Sequence, residues 1–472
     1  MKNIKKYMMK GIDNMGLEYN AKYSFEEATK KEKKEIFTFS EDYKTFLNYA
    51  VTERRCVKLG VQLAEKNGFK PISSFKTLKP GDKVYSVNRD KNLVLAVIGR
   101  NKIADGVNMI GAHIDSPRLD LKPMPLYEDS KIAYFKTHYY GGIKKYQWLT
   151  IPLALYGKIV KKDGEVDVEI DGEDFALVIS DLLPHLAGEQ MKKSMSEGVE
   201  GEQLNLIAGS MTESKEDSLK ENILKILNEK YGITEEDFIS SELEAVPAIK
   251  ARDIGFDRSI IGGYGQDDRV CAYAAMRAVF DCNSVPDVTA MCIWADKEEI
   301  GSMGNTGMQS RFTENLIAEM IALQEKNYND LLLRRAISCS YCISADVAAA
   351  YDPSFPSPYE KTNSAYLGRG VVMEKYVGAR GKSGSNDASA ELMGKIRKML
   401  DDSKIVWQFG ELGKVDGGGG GTVSQYVANL NCNVIDSGVA LLSMHSPFEL
   451  ASKGDIYYAY KGYREFYNKF GE

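Results

Sequence analysis

Two histidines stand just past the ends of apolar segments, each with acids close by. Gly111-Ala-His113-Ile-Asp115-Ser-Pro117 follows the apolar run Asn108 to Ala112, and Leu441-Leu-Ser-Met-His445-Ser-Pro447 closes another. Residues two apart on an extended chain share a face, so His113 and Asp115 point the same way, and a carboxylate beside an imidazole fixes its tautomer and raises its basicity as a metal ligand. A solvent-facing turn with an Asx bond would use the same two residues differently. Gly263-Tyr-Gly-Gln-Asp267-Asp268-Arg269 opens an amphipathic segment. There the two acids either cap a helix or exceed what a cap needs, leaving one free to bridge two cations. Glu298 and Glu299 end Ile293-Trp-Ala-Asp-Lys-Glu-Glu-Ile-Gly301. Neighbours on a straight strand face apart, so both reach one site only where the chain bends, which Gly301 permits; one could then hold a metal while the other takes a proton from water. Ile343-Ser-Ala-Asp346 ends a further apolar run with a single acid. Mixed His, Asp and Glu ligation without thiolate suits zinc in an open catalytic site, or manganese or cobalt in the same geometry.

Bringing these residues together requires a scaffold that gathers strand ends. Short apolar runs bounded by Gly, Asn and Asp read as buried strands at Lys83–Val87, Leu93–Ile98, Asn108–Ala112, Val288–Ala295, Ile337–Ala345, Ile405–Phe409 and Val439–Ser443. Helical periodicity is expected over 40–70 and at Asp268–Phe280, Asp387–Leu400, Thr422–Leu430 and Asp455–Phe470. Such alternation predicts an α/β sandwich with its site at the carboxyl ends of the strands. Residues 124–245 differ: alternating segments such as Leu153–Val160 and Val166–Ile170 lead into a charge-rich stretch holding one helix, Ser218–Tyr231. This reads as an inserted β-rich domain, with 1–123 and 246–472 forming the two parts of the catalytic domain. So many acids at buried strand ends would be too costly without cations to neutralise them.

Composition narrows the function. The 472-residue chain has only four histidines against 67 acids, and 61 − 67 gives a net charge of −6, which argues against nucleic acid as a partner. Seven scattered cysteines fit no disulfide framework and suit a reducing cytoplasm. Cys339-Ser-Tyr-Cys342 has the spacing of a redox or metal pair, but Ala336, Ile337 and Ile343 around it favour core cysteines on a buried strand. The lysine-rich start lacks the apolar core of a secretory signal, and no stretch approaches the roughly 18 apolar residues of a membrane span. A soluble cytoplasmic protein without a membrane partner is expected.

Taken in order and spacing, His113-Ile-Asp115-Ser-Pro, Gln266-Asp267-Asp268, Glu298-Glu299-Ile-Gly, Ser344-Ala-Asp346 and Ser443-Met-His445-Ser-Pro resemble the aspartyl aminopeptidase and vacuolar aminopeptidase I family of dinuclear zinc exopeptidases. Pro184-His-Leu-Ala187, Gly384-Ser-Asn-Asp387 and Asp416-Gly-Gly-Gly-Gly-Gly-Thr422 add to the match, which spans roughly residues 50 to 470. The resemblance implies a three-layer α/β/α zinc-exopeptidase sandwich with an inserted dimerisation domain and two zinc ions per subunit, cobalt or manganese being possible substitutes. It places His113 and Asp346 on one ion and Glu299 and His445 on the other, with Asp267 bridging. Asp115 would orient His113, and Glu298 would be the general base in removing the first residue of a short peptide with a free N-terminus. Assembly as a tetrahedral dodecamer built from dimers is implied too. Of the Gly417–Gly421 run, Gly418 and Gly419 are expected beside the substrate in an ordered loop. His138 falls where the family's insert approaches a neighbouring subunit's site, though a structural role competes; His185 reads as a domain-junction residue.

Two departures bear on specificity. Gly141-Gly-Ile-Lys-Lys-Tyr-Gln-Trp148-Leu-Thr150 lacks the Asp-Arg pair of acid-specific members, and Glu374 falls where those members carry a lysine, unless a one-residue shift puts Lys375 there. A glutamate in the side-chain pocket would favour basic or neutral N-terminal residues. Two rival readings are a related deacylase or carboxypeptidase and a non-catalytic assembly or peptide-binding protein on a peptidase scaffold.

Overall fold

The computed structural model describes residues 17–212 and 218–471. The lysine-rich start and part of the charge-rich stretch of the insert lie outside these residues. Nine strands form the central sheet. Its first half comprises β1 (Lys70–Pro71), β2 (Lys83–Asn88), β3 (Asn92–Val97), β4 (Val107–His113) and β13 (Thr289–Ala295). The second half is β14 (Tyr341–Ser344), β16 (Val371–Glu374), β17 (Trp407–Phe409) and β18 (Asn433–Gly438), and the spatial order is β1-β2-β3-β13-β4-β14-β18-β16-β17. The middle four, β13, β4, β14 and β18, run parallel.

Their side chains alternate between two cores, as a period of two on a doubly covered sheet requires. Leu93, Leu95, Val97, Ile110, Cys292 and Trp294 pack on one face against the helices Lys30–Tyr49, Glu53–Lys66, Gln266–Phe280 and Lys453–Lys469. Val94, Ala96, Met109, Met291, Ile293 and Cys342 face the helices Phe312–Gln324 and Asp330–Cys339 on the other. The result is the expected three-layer sandwich.

A second sheet of six strands, ordered β8-β7-β10-β5-β6-β9, joins β5 (Arg118–Asp129), β6 (Ile132–Tyr140), β7 (Leu153–Lys161), β8 (Gly164–Ile170), β9 (Leu206–Gly209) and β10 (Ser241–Pro247). It has its own core, which includes Leu119, Phe135, Trp148, Leu155, Ile159, Leu206 and Phe238. The boundary expected at 124 falls inside β5, whose Leu119 and Asp120 already pair with Ala245 and Glu244 of β10. The inserted helix runs from Leu219 to Tyr231, with Ser218 as its N-cap and Gly232 left-handed at its end.

A third sheet, absent from the sequence-based picture, has the order β11-β12-β20-β19-β15: β11 (Arg252–Ile254), β12 (Ile260–Gly263), β15 (Ala348–Ala349), β19 (Ala440–Leu442) and β20 (Glu449–Ser452). It corrects the placement of His445. The strand expected at Val439–Ser443 leaves the central sheet after Gly438 and pairs with β15 and β20, so His445 sits in the β19–β20 turn. Cys339 needs correction as well: Ala336 and Ile337 belong to the helix Asp330–Cys339, whose apolar residues repeat at helical spacing, and β14 starts only at Tyr341. Cys339 is exposed and Cys342 buried, both free. The helix expected over Thr422–Leu430 shortens to Ser424–Ala428.

Candidate metal centre

His113 is the last residue of β4, and its neighbour across β13 is Ala295, so the chain leaving β13 passes the imidazole. Ser344 of β14 pairs with Gly111, which puts Asp346 beside the same strand end. Three parallel strands thus deliver the site at their carboxyl ends. His113 Nδ1 lies 3.1 Å from the Asp115 carbonyl and 3.3 Å from its Oδ1, as the shared strand face requires. That leaves Nε2 facing Asp267 Oδ1 at 3.1 Å and Asp346 Oδ1 at 3.8 Å.

Asp267 and Asp268 do not cap the helix they open. Their backbone is non-helical, and the N-cap position is taken by Gly265. Instead the other oxygen of Asp267, Oδ2, faces His445 Nε2 at 3.2 Å, and that nitrogen lies 3.5 Å from Glu299 Oε2. One carboxylate therefore stands between the two imidazoles, one oxygen towards each.

Past β13 the backbone bends as the glutamate pair requires. Lys297 is left-handed, Glu298–Ile300 form one tight turn, and Gly301 is left-handed at its end. The amides of Glu298 and Glu299 donate to Asp115 Oδ1 and Oδ2 at 3.1 and 3.2 Å. Asp115 thus orients His113 and also fixes the turn carrying both glutamates.

The acids of the centre are crowded and buried together. Burial pushes the carboxyls of Asp268, Glu299 and Asp346 well above the ordinary range, and nearby acids add to it. Burial likewise raises Glu298 to about 7, with Asp115 and Asp267 adding to the rise and the two imidazoles opposing it. Asp267 goes the other way: burial opposes ionisation, but hydrogen bonds to His113 and His445 hold it below its usual value. Glu299 Oε1 and Asp268 Oδ1 are buried without a partner among the described residues.

The donor set fits zinc. Zn–N and Zn–O bonds near 2.0–2.1 Å put tetrahedral ligands roughly 3.3 Å apart, and donors around the Asp267 oxygens are spaced at 3.1–3.8 Å. Two groups, His113 with Asp267 and Glu299, and His113 with Asp268 and Asp346, bring their donor atoms within 4.8 Å of one another. Asp268 is thus a further candidate ligand, outside the set that the resemblance supplied.

A cleft of about 470 Å³ opens over the centre, lined by Asp267, Glu298, Glu299, Asp346 and His445 with apolar Val347, Val377, Leu412 and Met444. Glu374 lines it too. Its carboxyl is pushed well up by burial and then by Asp436, Asp346 and Glu411. Lys375, one residue on, does not: it is half exposed and ion-pairs with Asp387 outside the cleft, because successive strand residues face apart. Gly419 lines the cleft, whereas Gly418 packs against the Leu412 carbonyl instead. His138 is exposed, its Nδ1 2.9 Å from the carbonyl of Tyr139, and takes no part in this chain's cleft; His185 is exposed on the insert.

Sequence reasoning passed over Glu449 and Tyr140. Glu449 accepts from the Asp267 amide at 3.1 Å and the His445 amide at 2.8 Å, tying the two segments together. Its only sequence signal was an acid four residues after His445. The Tyr140 hydroxyl donates to Asp115 Oδ2 at 2.8 Å, a contact from the insert that no local motif announces.

Comparison with known proteins agrees with this geometry. The profile of the aminopeptidase I zinc metalloprotease (M18) family matches residues 46–467. A probable M18 family aminopeptidase 1 of Clostridium acetobutylicum is 51% identical over 449 residues, covering 93% of this chain and 96% of that protein. The crystal structure of an M18 family aminopeptidase from Thermotoga maritima superposes with a TM-score of 0.92 at 44% identity, covering 96% of this chain and all of that one. The fold extends to the dodecamer of mature yeast aminopeptidase 1, at a TM-score of 0.72 and 21% identity over 92% of this chain and 98% of that one. The chain belongs to the M18 family of zinc metalloproteases and is a metallo-aminopeptidase.

Proposed function

We propose that this aminopeptidase removes basic or neutral N-terminal residues from short peptides at a centre of two zinc ions, with Glu298 as general base. The observation behind this reading is Asp267, whose Oδ1 faces His113 Nε2 and whose Oδ2 faces His445 Nε2. His113 and Asp346 would hold one ion and Glu299 and His445 the other, with Asp267 between them and cobalt or manganese able to substitute. When bound, the pair would polarise the scissile carbonyl and lower the pKa of water. Glu298, raised to about 7, accepts the proton of the attacking water and returns it to the leaving amine. Asp115 holds His113 and the Glu298–Glu299 turn in register for that transfer.

Selectivity follows from the cleft wall. Among its described lining residues there is no lysine or arginine, and the acids Asp436, Asp346 and Glu411 all push the Glu374 carboxyl up. A substrate cation would let Glu374 ionise, whereas an acidic side chain would meet repulsion. Self-association into a tetrahedral dodecamer of dimers through the insert, in the cytoplasm, completes the reading. The test is a panel of aminoacyl chromogenic substrates with zinc, cobalt or manganese added. Lys, Arg and neutral derivatives should be cleaved fastest; fastest cleavage of Asp or Glu derivatives contradicts the pocket assignment. Turnover of N-acylated but not free-amine peptides contradicts the exopeptidase reading.

A further inference from the structure

The inserted sheet reaches the metal centre through three consecutive residues, Tyr140, Gly141 and Gly142. Tyr140 closes β6 and donates its hydroxyl to Asp115 Oδ2 at 2.8 Å. The same carboxylate faces His113 Nδ1 and receives both glutamate amides, so one acid sets an imidazole and the turn beside it. The face of the Tyr140 ring lies 3.9 Å from the Arg118 guanidinium. That cation is held in turn by Asp120 at 2.8 Å, Glu53 at 3.4 Å and Glu244 at 3.5 Å. The hydroxyl is therefore aimed by a ring that has little freedom to turn.

Two residues on, the Gly142 carbonyl accepts a hydrogen bond from His445 Nδ1 at 2.8 Å. The His445 side chain is 38% exposed, so packing alone does not orient it. With its proton on Nδ1, the ring carries a lone pair on Nε2, the nitrogen that faces Asp267 and Glu299, so that atom is free to ligate a metal. Gly141, left-handed between the two, lets the chain pass so close that a β-carbon there would sit 3.3 Å from Glu299 Oε2. A β-carbon at Gly142 would sit 3.2 Å from His445 Nδ1.

We infer that Tyr140, Gly141 and Gly142 form a strap by which the inserted sheet positions both halves of the metal centre, Tyr140 acting through Asp115 on His113 and Gly142 acting on His445. The inference rests on the two-zinc reading above. It makes the insert a contributor to metal affinity as well as a separate folding unit.

The experiment is zinc titration of the full-length chain against a chromophoric chelator, with cobalt absorption spectra, for wild type, Tyr140→Phe and Gly142→Ala. Phenylalanine keeps the ring against Arg118 and removes only the hydroxyl. Alanine at 142 pushes on the His445 ring. Wild type is expected to hold two ions. Each variant should bind one of them roughly 10-fold to 100-fold more weakly, the range usual for groups that orient a metal ligand. The cobalt bands of the weakened ion should shift, and the metal-free chain should melt as wild type does. Wild-type affinity and spectra in both variants would overturn the strap while leaving the two-zinc reading intact. A loss of affinity matched by a lower melting temperature of both metal-free variants would also overturn it. Fewer than two ions in wild type would overturn both.

Discussion

Carboxylates in this centre divide by what takes up their oxygens. Those of Asp115 and Glu449 are committed to amides and a hydroxyl within the chain, so these two acids orient others. Glu299 and Asp268 each keep a buried oxygen without a partner among the described residues, and such an oxygen is costly unless a cation meets it. Under the two-zinc proposal Asp267 is the pivot: an amide in its place would offer one acceptor oxygen where that proposal calls for two. Asp267→Asn is accordingly expected to hold at most one zinc per chain under conditions where wild type holds two, as measured by metal analysis after gel filtration. Under the proposed function the Glu374 side chain sets charge selection. Glu374→Lys should raise the rate ratio of Glu-derived to Lys-derived substrates by about 10-fold or more, since reversing the charge reverses the repulsive partner. An unchanged ratio would remove Glu374 from the pocket.

The third sheet is tied to the helical layer by a group of charges around the buried Lys453 ammonium. Asp253 on β11 meets Lys44 at 2.6 Å, Lys453 at 2.8 Å and Arg258 at 2.6 Å, and the Lys453 side chain is wholly buried. Burial opposes ionisation of Asp253, but these three cations outweigh it and hold its carboxyl below the ordinary range. A depressed carboxylate pKa contributes stability above its unfolded value, about pH 4, and that contribution is lost as pH falls towards the folded value. Asp253→Asn should cost about 3 kcal/mol in denaturant unfolding at pH 7, because it strands a buried ammonium. The gap from wild type should narrow below about pH 4. Of this sheet only β19 was legible beforehand, within the strand expected at Val439–Ser443; its members are two to four residues long, too short for a period to register. Of the central strands, β2, β3, β4, β13, β14 and β17 were legible because their apolar runs are continuous, whereas β1, β16 and β18 were not; the segments of His113, Glu298 and Asp346 stood out because each follows such a run. His445 was found as a chemical group but placed on the wrong sheet, since a run of apolar residues does not say which neighbour it pairs with. Tyr140 and Glu449 escaped because long-range hydrogen bonds leave no local spacing to read.

At the scale of the molecule, strand ends from one sheet, a turn from another and a strap from the insert converge on a single acidic cleft. Relatives sharing this fold include a dodecamer, and sedimentation of the purified chain is expected to give a species near twelve copies; a stable monomer would contradict that assembly. The most direct test of the catalytic account is the turnover of Glu298→Gln measured together with its zinc content. Glu298 supplies no atom to the expected ligand set, so the variant should retain two zinc ions per chain. It should lose roughly 10²-fold to 10⁴-fold in kcat, the usual contribution of a general base. Near-wild-type turnover with both ions bound would contradict the account.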